Sequence, residues 1–166
     1  MKKIILASAI ALVSATPAFA ASGNTSSANG TATATIVEPI VLNHTPGAAL
    51  GFGRFTTGTG GSITVSAAGV GTVGGDVAFV PGSTNAADAF GVTGDAGRAF
   101  SISTASGIVT DPVSSTTMSF TTTPSAVAGT LTGGSATFTV GGTLTVLGSE
   151  PAGAYTGSYN ATVTYN

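Results

Sequence analysis

Short runs in which apolar and hydroxyl-bearing residues alternate recur along most of this 166-residue chain. Such period-two alternation is typical of β-strands that bury one face. Glycine-rich breaks separate the runs at residues 58–61, 69–75 and 133–134. No segment beyond the N-terminal apolar run keeps a helical period, so the pattern predicts an all-β domain built from short strands.

The first 20 residues have the order of a secretory signal peptide. Two lysines precede an apolar run at residues 4–13, and Ala18-Phe19-Ala20 places small residues before the expected cut. A transmembrane anchor is the alternative, but crossing a bilayer takes about 20 apolar residues. This run is about half as long. We therefore expect cleavage after Ala20 and export through the periplasm to the cell surface or the medium.

Charged residues make up only 6% of the chain, whereas about 25% is usual in soluble domains. Beyond residue 20 there are two arginines and six acids, which give a net charge of −4. A surface so poor in cations offers no electrostatic footprint for nucleic acid, so no nucleic-acid partner is expected. The chain has no cysteine. Stability must therefore come from packing and sheet hydrogen bonds rather than disulfides.

The domain organisation follows from these shifts in composition. Residues 1–20 are the signal peptide, residues 21–30 a flexible leader rich in Ser, Asn and Gly, and residues 31–166 a single domain. Pro39 interrupts the first apolar stretch, which favours an edge strand or a bulge there. The predicted strands lie at residues 31–36, 40–42, 50–55, 63–65, 76–80, 89–93, 99–104, 116–122, 136–147 and 155–166.

This spacing of strands predicts an immunoglobulin-like β-sandwich, with a single barrel as the alternative fold. Whether the sandwich is complete, or is of the donor-strand type that needs a strand from another chain, stays open at this stage. The strands at 89–93 and 99–104 are expected to supply core residues, namely Phe90, Val92, Phe100 and Ile102. Other strands offer further apolar residues, which are Val77, Phe79, Val80, Met118, Phe120, Phe138, Val140, Leu144 and Val146.

Chemistry-bearing residues are few and scattered. His44 is the only histidine, and its neighbours Thr45 and Pro46 predict an exposed turn. A zinc site needs three or four clustered ligands, and the acids stand singly along the sequence; Asp95 is expected to pair with Arg98 across a turn. No G-x-S-x-G motif occurs. We therefore expect no catalytic, metal-binding or cofactor-binding residue, no cofactor and no enzymatic activity.

The C-terminus has the most specific pattern in the chain. A turn at residues 151–155 precedes a strand in which Tyr159, Ala161, Val163 and Tyr165 share one face. Tyr165 is the penultimate residue, and Gly153 is the fourteenth from the end. These features resemble the C-terminal signature of bacterial chaperone–usher pilins.

Two wider resemblances accompany that signature. Residues 31–55, with Thr45-Pro46 and Gly51-Phe52-Gly53, are similar to the first strands of spore coat protein U-type pilins. From Gly30 to Asn166 the chain is similar to the small exported domains of the DUF4402 family.

The resemblance implies a sandwich that lacks its last strand and takes one from the next subunit by β-augmentation. A periplasmic chaperone and an outer-membrane usher are the implied partners, besides copies of the chain or related subunits. The implied groove strand comprises Gly153, Tyr155, Tyr159, Ala161, Val163 and Tyr165. The implied donor strand comprises Ala28, Gly30, Ala32, Ala34 and Ile36.

Two function classes follow. The first is a structural subunit of a surface fibre or coat, with a role in cell adhesion. The second is a monomeric exported binding module of the lectin type, in which residues 159–165 are simply the core face of the last strand of a complete sandwich. A lectin should carry a surface cluster of aromatic and acidic side chains, and the sequence alone does not reveal one.

Overall fold

The computed structural model describes Gly23 and residues 26–166. The predicted signal peptide and its cleavage site lie outside these described residues. The chain divides into two units, Met1–Thr35 and Ile36–Asn166. Within the described part, no helix is long and apolar enough to cross a membrane.

All regular structure in the described part is β. The strands are β1 (Val41–His44), β2 (Phe55–Thr56), β3 (Gly61–Val65), β4 (Gly71–Gly75), β5 (Ala78–Phe79), β6 (Asp88–Thr93), β7 (Ala99–Thr104), β8 (Gly107–Thr110), β9 (Thr117–Pro124), β10 (Ala128–Thr130), β11 (Ser135–Val146), β12 (Thr156–Ser158) and β13 (Ala161–Tyr165). The all-β, sandwich-like fold predicted from the alternation is confirmed.

Two antiparallel sheets and a short ribbon make up the Ile36–Asn166 unit. The large sheet has the order β1-β6-β11-β9-β8-β12, and β3 and β4 extend it from the second half of β11. The small sheet has the order β10-β7-β13, and β2 pairs with β5 in the ribbon. The long strand β11 is central because β6 and β3 pair with its two halves and β9 pairs with its other edge.

The core consists of two clusters that differ in what covers them. One lies between the large and the small sheet and comprises Phe90, Val92, Phe100, Ile102, Leu131, Phe138 and Val140. The other lies on the rest of the large sheet and comprises Phe52, Ile63, Val65, Val77, Met118, Phe120, Leu144 and Val146. The second cluster is covered by the β2–β5 ribbon and its flanking loops rather than by a sheet, so this half of the sandwich is the less enclosed one.

The four residues predicted as core, Phe90, Val92, Phe100 and Ile102, are all buried, whereas Val80 is exposed. Along β7 and β11, buried and more exposed positions alternate as the sequence pattern requires. The strand near Pro39 is an edge strand as expected, because β1 pairs only with β6. Arg98 donates a hydrogen bond from Nε to Asp95 Oδ2 at 2.8 Å, which confirms the predicted pair.

The main differences concern glycine-rich and short segments. Residues 69–75 were predicted as a break, but Gly71–Gly75 forms β4 because β3 needs an antiparallel partner. Strands β8 and β10 were not predicted, since β8 has two adjacent apolar residues instead of an alternation and β10 has no large apolar residue. Two predicted strands are mostly irregular, because only residues 78–79 of the strand 76–80 and only Phe55 of the strand 50–55 lie in a ladder.

The predicted strand at residues 31–36 does not form within this chain. The described residues 26–35 are exposed and belong to no strand, and Ile36 is 97% exposed. The first strand of the domain is β1, which begins at Val41. A strand needs a neighbour to satisfy its backbone groups, and none of the described residues pairs with this segment.

Candidate binding cleft

The less enclosed half of the sandwich contains an open cleft with a volume of about 1290 Å³. Its walls are residues 48–58 on one side and residues 150–159 on the other. Its floor belongs to the large sheet and comprises Val109, Met118, Phe120 and Leu144. The aromatic rings of Phe52 and Phe120 meet edge to face at 5.8 Å, which fixes the shape of the floor.

Hydrogen bonds to backbone carbonyls and amides hold the first wall in place. Gly51 and Ala86 exchange N–H···O=C bonds of 2.9 and 3.0 Å. The Asn85 amide donates to the Phe52 carbonyl at 2.8 Å, and the Arg54 guanidinium donates to the Gly82 carbonyl at 3.0 Å. These bonds orient Phe52 towards the large sheet, where its side chain is buried.

The second wall begins with an irregular loop at residues 150–155, and a carboxylate fixes the start of this loop. Glu150 accepts hydrogen bonds from the Leu147 and Gly148 N–H groups at 2.6 and 2.8 Å. Burial opposes ionisation of this carboxyl, but the backbone hydrogen bonds outweigh it and lower the pKa of Glu150. Tyr155 then donates its hydroxyl hydrogen to the Pro151 carbonyl at 2.9 Å, which closes the turn predicted from the sequence.

Glycine suits position 153 of this loop because the backbone there lies close to the side chain of Asp111. A Cβ at this position would lie 3.0 Å from a carboxylate oxygen of Asp111. Asp111 is buried and caps the turn after β8 by accepting bonds from Val113 N, Ser114 N and the Ser114 hydroxyl. The close approach of Gly153 therefore joins the cleft wall to this capped turn.

At one end of the cleft, three polar side chains form a linked group. Asp88 is only 5% exposed, and its Oδ1 lies 2.7 Å from His44 Nε2. The Tyr159 hydroxyl donates to Asp88 Oδ2 at 2.8 Å. Burial, followed by the hydrogen bond and the negative charge of Asp88, raises the pKa of Tyr159 far above its ordinary value, so its hydroxyl stays protonated and remains a donor.

This group corrects the prediction for His44. The residue is the last of β1 and precedes the turn at residues 46–47 rather than lying in it. Its side chain is 48% exposed, as expected, but its Nε2 contacts buried Asp88. Its ring also meets Phe90 edge to face at 5.2 Å. The arrangement fastens β1 to the segment before β13 and gives the cleft a polar end. Among the described residues no three His, Asp or Glu side chains gather as metal ligands do.

The residues predicted for the groove fall into two sets. Gly153, Tyr155 and Tyr159 line the cleft. Ala161, Val163 and Tyr165 lie on β13, are half-buried and pack against the core between the sheets. The predicted alternation along this strand is confirmed, because Thr162 and Thr164 are exposed. Tyr159 packs against both core clusters and so connects the two sets.

The C-terminal tyrosine joins two edges of the fold. β13 pairs only with β7, and its free edge lies near β1. The Tyr165 hydroxyl donates to the Glu38 carbonyl at 2.9 Å and accepts from Asp95 N at 2.7 Å. The Arg98 guanidinium lies 5.6 Å from the centre of its ring. Tyr165 therefore links β13 to the backbone at Glu38 and Asp95, and it does not line the cleft.

Because of the capped turn beside the cleft, the free energy of unfolding should decrease at acidic pH. Hydrogen bonds from the Ser114 hydroxyl and the Val113 N–H lower the pKa of Asp111. A group with a lowered folded-state pKa stabilises the fold above its ordinary pKa of about 4 and loses that contribution as the pH falls below it. We expect the melting temperature to fall in this range, and to fall less in Asp111→Asn. An equal acid dependence of the two proteins, measured by circular dichroism, would contradict this.

Comparison with known proteins matches most of the chain, including every residue that lines the cleft, to one family. Residues 42–165 match the profile of the family described as Domain of unknown function (DUF4402). No curated protein and no solved structure matches the chain. The match begins at Leu42 in β1 rather than at the expected Gly30, and it includes both walls of the cleft. The resemblance to this family is confirmed, and the resemblance to pilins stays a prediction.

Proposed function

The chain belongs to the DUF4402 family, and we propose that it is an exported structural subunit of a bacterial surface fibre or coat that assembles by β-strand donation. The observation that carries the proposal is the open cleft. Its floor comprises buried Met118, Phe120 and Leu144 with half-buried Val109. Its walls are residues 48–58 and 150–159, which are irregular apart from the short strands β2 and β12. An extended peptide that enters it would cover apolar surface and supply backbone partners, which is how β-augmentation works.

The N-terminal segment supports the same proposal, because it has the properties expected of the donor strand. Residues 31–36 alternate hydroxyl and apolar side chains, yet the described residues 26–36 are exposed and form no strand. Ile36 is the one large apolar residue of the proposed donor set. Burying such a side chain stabilises a contact by about 1.5–3 kcal/mol, so Ile36 should contribute most of the side-chain affinity.

Export and partners belong to the same proposal. The signal peptide at residues 1–20 would deliver the chain to the periplasm, where a chaperone covers the cleft until a neighbouring subunit replaces it. The second copy then contributes residues 28–36. Neither step needs a cofactor or a catalytic residue of this chain.

A second candidate function is a monomeric exported binding module of the lectin type. One observation favours it: folding brings aromatic rings and carboxylates together at the cleft, where Phe55, Tyr155 and Tyr159 lie near Asp88 and Glu150. Clefts that combine apolar walls with a few fixed polar groups are common sites for small ligands. In this case the cleft would hold a neutral sugar and the chain would stay monomeric.

Placing a bulky cation at the cleft tests the proposal. Ala154 is exposed and lines the cleft, so Ala154→Arg should obstruct an incoming strand without disturbing the core. We expect oligomers of the exported protein to disappear in sedimentation velocity runs, while the melting temperature stays unchanged. The matched control is Ala126→Arg, at an exposed position outside the cleft, which should assemble like the unmodified protein.

Two results would contradict strand donation. One is normal assembly of Ala154→Arg. The other is an unmodified protein that is monomeric at all concentrations and binds a sugar that Ala154→Arg no longer binds; this second result would favour the binding module. Electron microscopy of material sheared from the producing cells gives an independent readout, since the structural role requires filaments or a coat.

A further inference from the structure

Strand β4 presents a free edge of the large sheet. It pairs with β3 in the register Val65↔Gly71 to Gly61↔Gly75 and has no other partner strand in the described chain. Ser66 N donates to the Val70 carbonyl, and Asp76 N donates to the Gly60 carbonyl, each at 2.9 Å. These bonds fix which residues of β4 face β3.

Residues directly opposite each other in an antiparallel ladder alternate between hydrogen-bonded and non-hydrogen-bonded pairs. Since residues 70 and 76 are bonded to the β3 side, Thr72 and Gly74 are bonded to it as well. The N–H and C=O groups of Gly71, Val73 and Gly75 therefore point away from β3. These groups form an outward row of backbone donors and acceptors that another strand could pair with.

This edge lacks two features that normally keep strand edges apart, and the Asn85 side chain packs against it at Gly71. Native sheets blunt their edges with charged residues, prolines or covering loops. β4 contains neither a charged residue nor a proline, and the side chain of Val73 is 42% exposed. Val73 lies opposite fully buried Ile63 and so shares the core face of the sheet. A partner at this edge would cover the rim of the apolar cluster.

We propose that the β4 edge binds the β4 edge of a second copy, in an antiparallel arrangement with a twofold axis at Val73. In this register Val73 exchanges both backbone hydrogen bonds with its counterpart, and Gly71 faces Gly75 of the other chain. A single self-complementary patch is what a closed twofold dimer requires. The two large sheets then continue into one another.

The charges nearest this edge also suit the proposed register. Asp76 follows β4 directly and lies opposite Val70 of the other chain in this arrangement. The two Asp76 carboxylates are then separated by six strand positions, or about 20 Å, which exceeds the Debye length of about 8 Å at physiological salt. The outer face beside β4 carries Thr72, Thr64 and Thr143, so the joined face has hydroxyl groups and no repelling charge.

This contact is separate from strand donation, because it uses neither the cleft nor residues 28–36. It holds whether the chain is a fibre subunit or a binding module. In a fibre it would join filaments side by side, and in a binding module it would place two clefts on one dimer.

A disulfide at the axis tests the proposal. The chain has no cysteine, so Val73→Cys introduces a single thiol. Hydrogen-bonded antiparallel pairs have Cα atoms about 5.5 Å apart, within the range of about 4.4–6.8 Å that a disulfide spans. We expect mild oxidation of the exported full chain at micromolar concentration to give a covalent dimer on a denaturing gel. Val113→Cys is the control, since that side chain is 92% exposed but lies on a turn.

The expected difference is roughly tenfold or more in the rate of dimer formation, because association raises the effective thiol concentration. Polymers held by donated strands fall apart in the denaturing gel, so they do not affect this readout. As a second measurement, Val73→Lys should remove the lateral dimer seen by sedimentation while the melting temperature is kept. Equal oxidation of the two cysteine variants, or sedimentation of Val73→Lys like the unmodified chain, would overturn the proposal.

Discussion

Replacing Leu144 by aspartate is expected to leave no folded protein at neutral pH. Leu144 is 2% exposed and lies on the central strand β11, between β3 and β9. Losing a buried leucine side chain alone costs about 2–5 kcal/mol, and burying an unpaired carboxylate costs several kcal/mol more. Together these terms are comparable to the total stability of a typical domain, about 5–15 kcal/mol.

The next residue on the same strand supplies the control. Thr145 is exposed on the outer face of the sheet, so Thr145→Asp introduces the same charge without burying it. We expect Thr145→Asp to keep the yield and melting temperature of the unmodified protein, and Leu144→Asp to be degraded. A cooperative unfolding transition of Leu144→Asp near that of Thr145→Asp would show that the assignment of the core is wrong.

Strands such as β7, β9 and β11 were predictable because one face of each is buried. Their apolar residues recur at every second position, and that period alone determines which side chains face the core. Strand β4 could not be found in the same way, because Gly71, Gly74 and Gly75 have no side chains to show a pattern. It forms because β3 has a backbone edge to satisfy, which is a property of the fold and not of the local sequence.

The polar group formed by His44, Asp88 and Tyr159 could not be predicted from the sequence, for a different reason. His44 and Asp88 are brought together by the pairing of β1 with β6, which the sequence does not specify. One signal was nevertheless present. Asp88 is in phase with Phe90 and Val92, two predicted core residues, so the alternation itself assigned this carboxylate to the buried face. A buried carboxylate needs partners, and the single histidine was the obvious candidate.

The N-terminal segment shows why an alternating pattern does not identify the strand with which it pairs. Residues 31–36 have the sequence of a strand, but the pattern is equally compatible with pairing inside the chain or with another chain. The exposure of Ile36 excludes the first possibility for its own side chain in this structure. The sequence could therefore predict a strand here, and only the fold reveals that no strand pairs with it among residues 26–166.

Removing residues 21–36 behind the predicted signal peptide is expected to abolish polymers and leave a folded domain. None of the described residues in this stretch is buried, so their loss should cost the domain little of its own stability. It should remove the donor from every copy, because a donor strand stabilises its neighbour and not its own chain. Size-exclusion chromatography of the full and shortened exported proteins measures the difference.

A single substitution provides a sharper version of this comparison. Ile36→Asp removes the largest apolar side chain of the proposed donor, and Val113→Asp adds the same charge at a position that is 92% exposed. We expect Ile36→Asp to weaken assembly strongly, since an aspartate cannot enter an apolar cleft without a partner. Val113→Asp should assemble normally. Similar assembly of the two variants would indicate that Ile36 is not a donor residue.

Binding of a synthetic peptide that spans residues 25–37 to the shortened protein tests the central claim most directly. Strand donation predicts that the peptide binds and raises the melting temperature in proportion to its occupancy, and that Ala154→Arg in the shortened protein prevents both effects. A peptide in which Ile36 is replaced by aspartate should not bind. If the full protein is a stable monomer, the shortened protein is unfolded, and the peptide restores nothing, then residues 25–36 belong to the chain's own fold and strand donation is contradicted.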